Sequence, residues 1–282
     1  MTTPVSGLPV GRTVSGQLIL QRYQVNQQHI ATRVAVAIHN LWLRIITPAV
    51  FEQSWETLNP IANGIISTHY EMAAADAAQY YTMSRIIAAF PHIDVPGLQP
   101  DEEYINRVVN AMGLGQYRHF IKNYSPEDSS AKAQDALRGA STRMVMMGGR
   151  DTIVRAAKID PVAHGWERVI EPGACSFCAM LAGRGGVYSE ATADFKAHDH
   201  CHCVARPVFA GQKSVNADLS EEWGRATKGT RGAAARAAWD KYWSSRGEHQ
   251  GTQNPTEEGA GPASLTKESV GRSAIPNQAA NR

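Results

Sequence analysis

The chain has 282 residues, 43% of them hydrophobic and 19% charged, with a formal net charge of +2. That length holds one large domain or two small ones, and the balance describes a folded body with polar, weakly charged appendages. So small a net charge gives no general reason to expect nucleic-acid binding, although basic side chains outnumber acidic ones between Arg206 and Arg246. No run approaches the roughly 20 apolar residues of a membrane span. Met1 to Gly16 lack the basic start and apolar core of a signal peptide. The expected setting is a reducing cytoplasm, with no membrane contact.

In chain order, residues 1–16 are rich in Gly, Pro, Thr and Ser and read as a flexible arm. From about Leu18 the pattern turns helical. Ile30, Val34, Ile38, Leu41 and Ile45 recur at three- and four-residue spacing and share one face, until Pro48 ends or kinks the helix. Thr68 with Glu71 three residues on resembles a capping box and predicts a second helix from there to Phe90, stopped by Pro91. Asp101 is the expected cap of a short helix ending near Gly113 and Gly115. Ser125 with Pro126 behind it predicts the start of another helix, which runs towards Met147. Gly148-Gly149 is expected to interrupt it, with Asp151 capping a shorter piece to Ile159 and Pro161 closing the helical part.

Beyond Pro161 the texture changes. Trp166–Ile170 and Val204–Phe209 read as short strands bracketing a cysteine-rich stretch. Residues 219–246 read as a helix weakened by Gly224, Gly229 and Gly232. Trp239 and Trp243 would share a face with Ala235, which favours docking onto the body over stacking on nucleic acid. From Gly247 the composition is too poor in large apolar residues to offset the entropy of ordering. The expected fold is therefore mainly α: a flexible arm (1–16), a helical module (17–160), a small Cys/His zinc-binding β element (161–210), a helical extension (211–246) and a disordered tail (247–282). His39 and His69 read as packed helix residues, and Met144, Met146 and Met147 as adaptable packing. Gly183-Arg-Gly-Gly186 reads as a turn, because it lacks the Lys-Ser/Thr of a phosphate-binding loop.

All four cysteines lie between Cys175 and Cys203. Disulfides are rare in a reducing compartment, and thiols clustered there more often hold metal. Cys175 and Cys178 form a CxxC pair, a turn that lets two thiolates converge on one ion. After a gap comes His198-Asp-His200-Cys201-His202-Cys203. Cys201 and Cys203 can complete a four-thiolate site, or His198 can replace one of them. In extended chain the alternation of side chains puts Cys201 and Cys203 on one face and the histidines on the other, which favours the four-thiolate set. Four protein ligands leave no open position for water, so the implied zinc is structural.

The string Gly165-Trp166-Glu-Arg-Val, then Ala174-Cys-Ser-Phe-Cys-Ala-Met-Leu-Ala-Gly-Arg-Gly, then His198-x-x-Cys201-x-Cys203, resembles the phage Mu protein F-like minor head proteins, particularly those of actinobacterial phages. The likeness covers about residues 140–210. It departs from the family pattern at Asp199, where many members carry proline after the motif histidine. The resemblance implies a minor capsid protein of a tailed phage, made in the host bacterial cytoplasm and built into the procapsid interior and virion head. It implies partners among portal protein, scaffold and major capsid protein. Related genes are often described as capsid maturation proteases, which makes a protease acting on scaffold or capsid protein the alternative. The chain itself offers neither a GxSxG elbow nor an HExxH helix, and no catalytic residue declares itself. A third alternative is a zinc-ribbon protein touching DNA weakly during packaging or ejection.

Overall fold

The computed structural model describes residues 14–171, 173–183, 197–199 and 201–246. The chain up to residue 13 and from residue 247 onward, including most of the expected arm and all of the expected tail, lies outside the described residues. So does Arg184-Gly-Gly186 of the expected turn.

Three long helices make the body: α1 (Val14–Ile45), α2 (Phe51–Ile87) and α5 (Pro126–Ile159). All three pack on one another. Ile30, Val34 and Ile38 of the expected α1 face are buried, and Leu41 and Ile45 pack at the edge of the same core. After Pro48 opens a single 3-10 turn, α2 returns along α1. Trp42 meets Phe51 and Trp55 near the bend, and Tyr23 stacks on Tyr80 at the far end with ring centroids 4.2 Å apart. Asp101 caps α3 (Glu102–Asn110) by accepting from the Tyr104 amide, and Ser125 caps α5 by accepting from the Asp128 amide. Among the described residues no single helix is long and apolar enough to cross a membrane.

Several helix boundaries differ from the sequence expectation, and α2 ends at Ile87 rather than at Phe90. Thr68 does not start a helix. It lies inside α2, and its hydroxyl donates back to the Gly64 carbonyl (2.9 Å), the usual recourse of a mid-helix threonine. The helix after Asp101 does not stop at Gly113. It passes through one π-helical turn (Ala111–Gly115) into α4 (Gln116–Phe120), with Gly113 pressed so closely on the Trp55 ring that a Cβ would lie 1.8 Å from it. Nor do Gly148 and Gly149 interrupt α5. There α5 lies close against its neighbours: a Cβ would sit 2.5 Å from the Tyr70 carbonyl at Gly148 and 2.3 Å from the Gln27 side chain at Gly149. Consequently Asp151 is an interior residue of α5 rather than a cap.

Strands β1 (Ala163–Val169) and β2 (Val204–Phe209) pair antiparallel, running from Ala163 opposite Phe209 to Val169 opposite Val204. Every residue of β2 and the last five of β1 are buried, because the two-stranded ribbon is sandwiched against α5. Two buried ion pairs lock it. Glu167 meets Arg206 directly across the ladder, and Arg85 donates to Asp160 (2.8 Å) where α5 hands over to β1. The expected helix over 219–246 is two helices, α7 (Ala217–Ala226) and α8 (Gly232–Ser245). Gly229 and Gly232 adopt positive φ between them, a conformation open to glycine but strained for other residues.

Candidate metal centre

The antiparallel register creates the site. Pairing Val169 with Val204 leaves the CxxC turn six residues past one strand end and Cys203 directly before the other. Cys175 precedes α6 (Ser176–Gly183), and Cys178 lies in its first turn. The Cys178 amide donates to the Cys175 sulfur (3.4 Å). Helix α8 clamps this turn from outside: the Trp239 indole donates to the Ser176 carbonyl (3.0 Å) and the Trp243 indole to the Ala174 carbonyl (2.9 Å). Both tryptophans are buried, which overturns a nucleic-acid stacking role for them and leaves the docking one.

All five sequence candidates come together. Cys175, Cys178 and His198 form one close group, and Cys178, Cys201 and Cys203 another, with ligand atoms in each within 4.8 Å of one another. Cys178 and Cys201 sulfurs are 3.5 Å apart, while His198 Nε2 lies 2.8 Å from the Cys175 sulfur and 3.8 Å from that of Cys178. A zinc–sulfur bond of about 2.3 Å gives a tetrahedral sulfur–sulfur edge of ~3.8 Å, close to the Cys178–Cys201 separation, whereas His198 and Cys175 stand at hydrogen-bond distance and would move apart by roughly 0.7 Å to share an ion. None of the four cysteines is in a disulfide.

The expectation that the histidines turn away fails at His198. The segment before Cys201 is not extended: the Cys201 amide bonds back to the His198 carbonyl (3.3 Å), a turn that swings the imidazole onto Cys175. Asp199 anchors the turn by accepting from Arg143 Nε of α5 (2.7 Å). His200 lies outside the described residues.

Two features were invisible in the sequence, since isolated arginines carry no spacing signal. Arg150 of α5, 1% exposed, donates to the Cys203 carbonyl (2.8 Å) and the Cys201 carbonyl (2.6 Å), and reaches the Cys201 sulfur at 3.4 Å. Arg168 of β1, also buried, points Nη1 at the Cys178 sulfur (3.8 Å). A zinc ion with four thiolates carries net charge −2, and with three thiolates and an imidazole −1. Buried charge of that size needs compensation, and two buried guanidiniums supply it.

The sulfurs and the imidazole share protons across short contacts. The Cys175 thiol is lowered to about 4 by its hydrogen bond with Cys178 and by His198. His198 is raised to about 9 by the Cys175 sulfur. Cys178 is pushed up by sharing its proton with Cys175 and Cys201, and Cys201 is correspondingly lowered. Protons thus hold the sulfurs together where a divalent cation would replace them. Cys178, Cys201 and Cys203 are buried, Cys175 is half-buried and His198 is exposed, so the cluster is a candidate Cys/His metal site on an α-helical body.

The VG15 protein family matches residues 17–228, from α1 through the cluster to α7, and the chain belongs to that family. Among its relatives is the Gene 15 protein of Mycobacterium phage L5, 27% identical over 176 residues, which cover 58% of this chain and 55% of that protein. The Gene 15 protein of Mycobacterium phage D29 is 28% identical over 157 residues, 52% of each chain. The chain spans about half the length of these curated relatives. This is therefore a protein of a bacteriophage family. No solved structure matches it.

Proposed function

We propose that this chain is a tailed-phage head-morphogenesis protein, a minor capsid component that acts in procapsid assembly near the portal, with a structural zinc ion in its cysteine element. The observation that carries the zinc is the convergence of Cys175, Cys178, His198, Cys201 and Cys203 beside the buried Arg150 and Arg168. Zinc would supply a cross-link between the CxxC turn and the segment that leads into β2. Cys178 belongs to both ligand groups and is the shared donor; Cys175, Cys201, Cys203 and His198 offer four candidates for the remaining three places. The head role is supported by the motif likeness to minor head proteins and by kinship with mycobacteriophage gene products. Its partners would be portal, scaffold or major capsid protein, gripped by the helical body.

The two parts of the reading are tested separately. Protein purified without chelator should carry one zinc per chain by elemental analysis, and Cys178→Ser should abolish it; metal-free wild-type protein with the same fold would sink the zinc. Procapsids isolated from infected cells should contain the chain at low copy number. Its absence from every head intermediate would sink the head role and leave the zinc untouched.

A further inference from the structure

The outer face of α1 carries a feature that the fold does not use. Val14, Leu18, Val25, Val36 and Leu43 are 72%, 58%, 46%, 51% and 66% exposed. Their spacings of 4, 7, 11 and 7 residues return each to the same side of the helix, within about 40° of arc at 100° per residue. The stripe averages ~3.6 residues per turn over ~43 Å, so it follows a straight helix without supercoiling. A row of arginines accompanies it. Arg22, Arg33 and Arg44 are exposed, lie 11 residues apart and flank the stripe on one side. Across its 32 residues α1 contains no acidic side chain. None of the three arginines enters an ion pair among the described residues.

We infer that this face of α1 is a docking surface for an amphipathic helix of another protein, one that presents an apolar stripe bordered by Asp or Glu. The apolar component alone would suit several occupants, since extended exposed apolar surface marks interaction sites generally. The arginine row selects among them. A second copy of α1 supplies no carboxylate in either orientation, and in an antiparallel pair the two arginine rows would lie along the same edge and repel. An acid-bordered helix offers burial to the aliphatic side chains and an opposite charge to each arginine, the combination that gives a helical groove its register. The biological setting of this surface rests on the assembly reading, but the binding is a property of the chain and is testable without it.

The probe is a pair of synthetic helical peptides of about 30 residues. Both carry leucines at the α1 stripe spacing; one is flanked by glutamates, its twin by lysines. Binding to the full, metal-loaded chain is read by fluorescence anisotropy at low and high salt. The glutamate peptide should bind at least tenfold more tightly than its twin, with the gap narrowing as salt screens the flanks. The triple variant Arg22→Glu/Arg33→Glu/Arg44→Glu should invert that preference. Val36→Ser/Leu43→Ser should weaken the glutamate peptide about tenfold. All five positions are exposed, so circular dichroism should show the variants folded. Equal binding of the two peptides, no binding of either, or no inversion in the triple variant overturns the inference. So does a dimer in sedimentation that Val36→Ser/Leu43→Ser dissolves, since the occupant would then be a second copy. Each of these outcomes leaves the zinc content and the procapsid association where they stood.

Discussion

Where α1, α2 and α5 meet, order comes from apolar burial spread along three helices of 32, 37 and 34 residues. Its core includes Val34, Ile38, Leu58, Ile66 and Leu137, none measurably exposed. The cysteine element also buries apolar side chains, Trp166, Val169, Val204 and Phe209 against the body and Ala179 and Met180 against Trp239 and Trp243, but it adds a polar centre of its own. Its α6 has eight residues, its sheet two strands, and its centre is sulfur, imidazole and guanidinium. Loss of one contact in the first region is shared among many neighbours. In the second, the segments that carry the cysteines outside the strands are short, so each donor holds a larger share of them.

The largest effect expected from breaking this contrast follows metal removal. Structural zinc sites in small domains are worth on the order of 10 kcal/mol of apparent binding free energy. Cys178→Ser, or treatment with a strong chelator, should strip protection from amide exchange in residues 173–183 and 197–203, and in the α8 segment whose indoles clamp Ser176 and Ala174. Protection in α1, α2 and the first half of α5 should persist. Uniform loss of protection throughout the chain would mean that the two regions form one cooperative unit and that the contrast is wrong.

How much of each region could be read from the sequence follows the same division. Helical periodicity exposed α1 because Ile30, Val34 and Ile38 repeat on one face, and local caps exposed α3 and α5 because Asp101 and Ser125 act within three residues of themselves. CxxC spacing likewise gathered Cys175 and Cys178. What stayed hidden depended on distant chain. Gly113, Gly148 and Gly149 look like helix breakers until Trp55, Tyr70 and Gln27 are seen to lie against them. His198 looked outward on the assumption of an extended segment, and a turn anchored by Arg143 through Asp199 reversed it. Arg150 and Arg168 have no local pattern at all, since their partners are 51 and 10 residues away.

Arg150 is one of the places where the two regions touch, and its substitution should sharpen their relation. Its guanidinium is the direct tether from α5 to the backbone of Cys201 and Cys203. Arg150→Met keeps much of the volume but leaves two carbonyls without their charged donor, at a cost of about 3 kcal/mol. It also removes a positive charge beside the sulfurs. Zinc affinity measured by chelator competition should fall together with the denaturation midpoint. A fall in stability alone, with affinity unchanged, would show that Arg150 braces the backbone and does nothing for the thiolates.

The smallest effects should come from the helical body, and there a pair of glycines tests whether dense packing is its governing feature. Gly148 and Gly64 both sit inside long helices, where replacing glycine by alanine ordinarily adds roughly 1 kcal/mol by reducing the entropy lost on folding. At Gly64 an added Cβ meets nothing within 4 Å, so Gly64→Ala should raise stability by about that amount. At Gly148 the same methyl would lie 2.5 Å from the Tyr70 carbonyl, a backbone atom that moves only if α2 moves. Forcing the two helices apart should outweigh the entropic gain and cost about 1–3 kcal/mol. The two substitutions are chemically identical, so opposite signs in urea denaturation isolate the helix crossing as the cause. If Gly148→Ala stabilised the chain as Gly64→Ala does, α2 and α5 would have slack between them, and close packing could not be what distinguishes the body from the cysteine element.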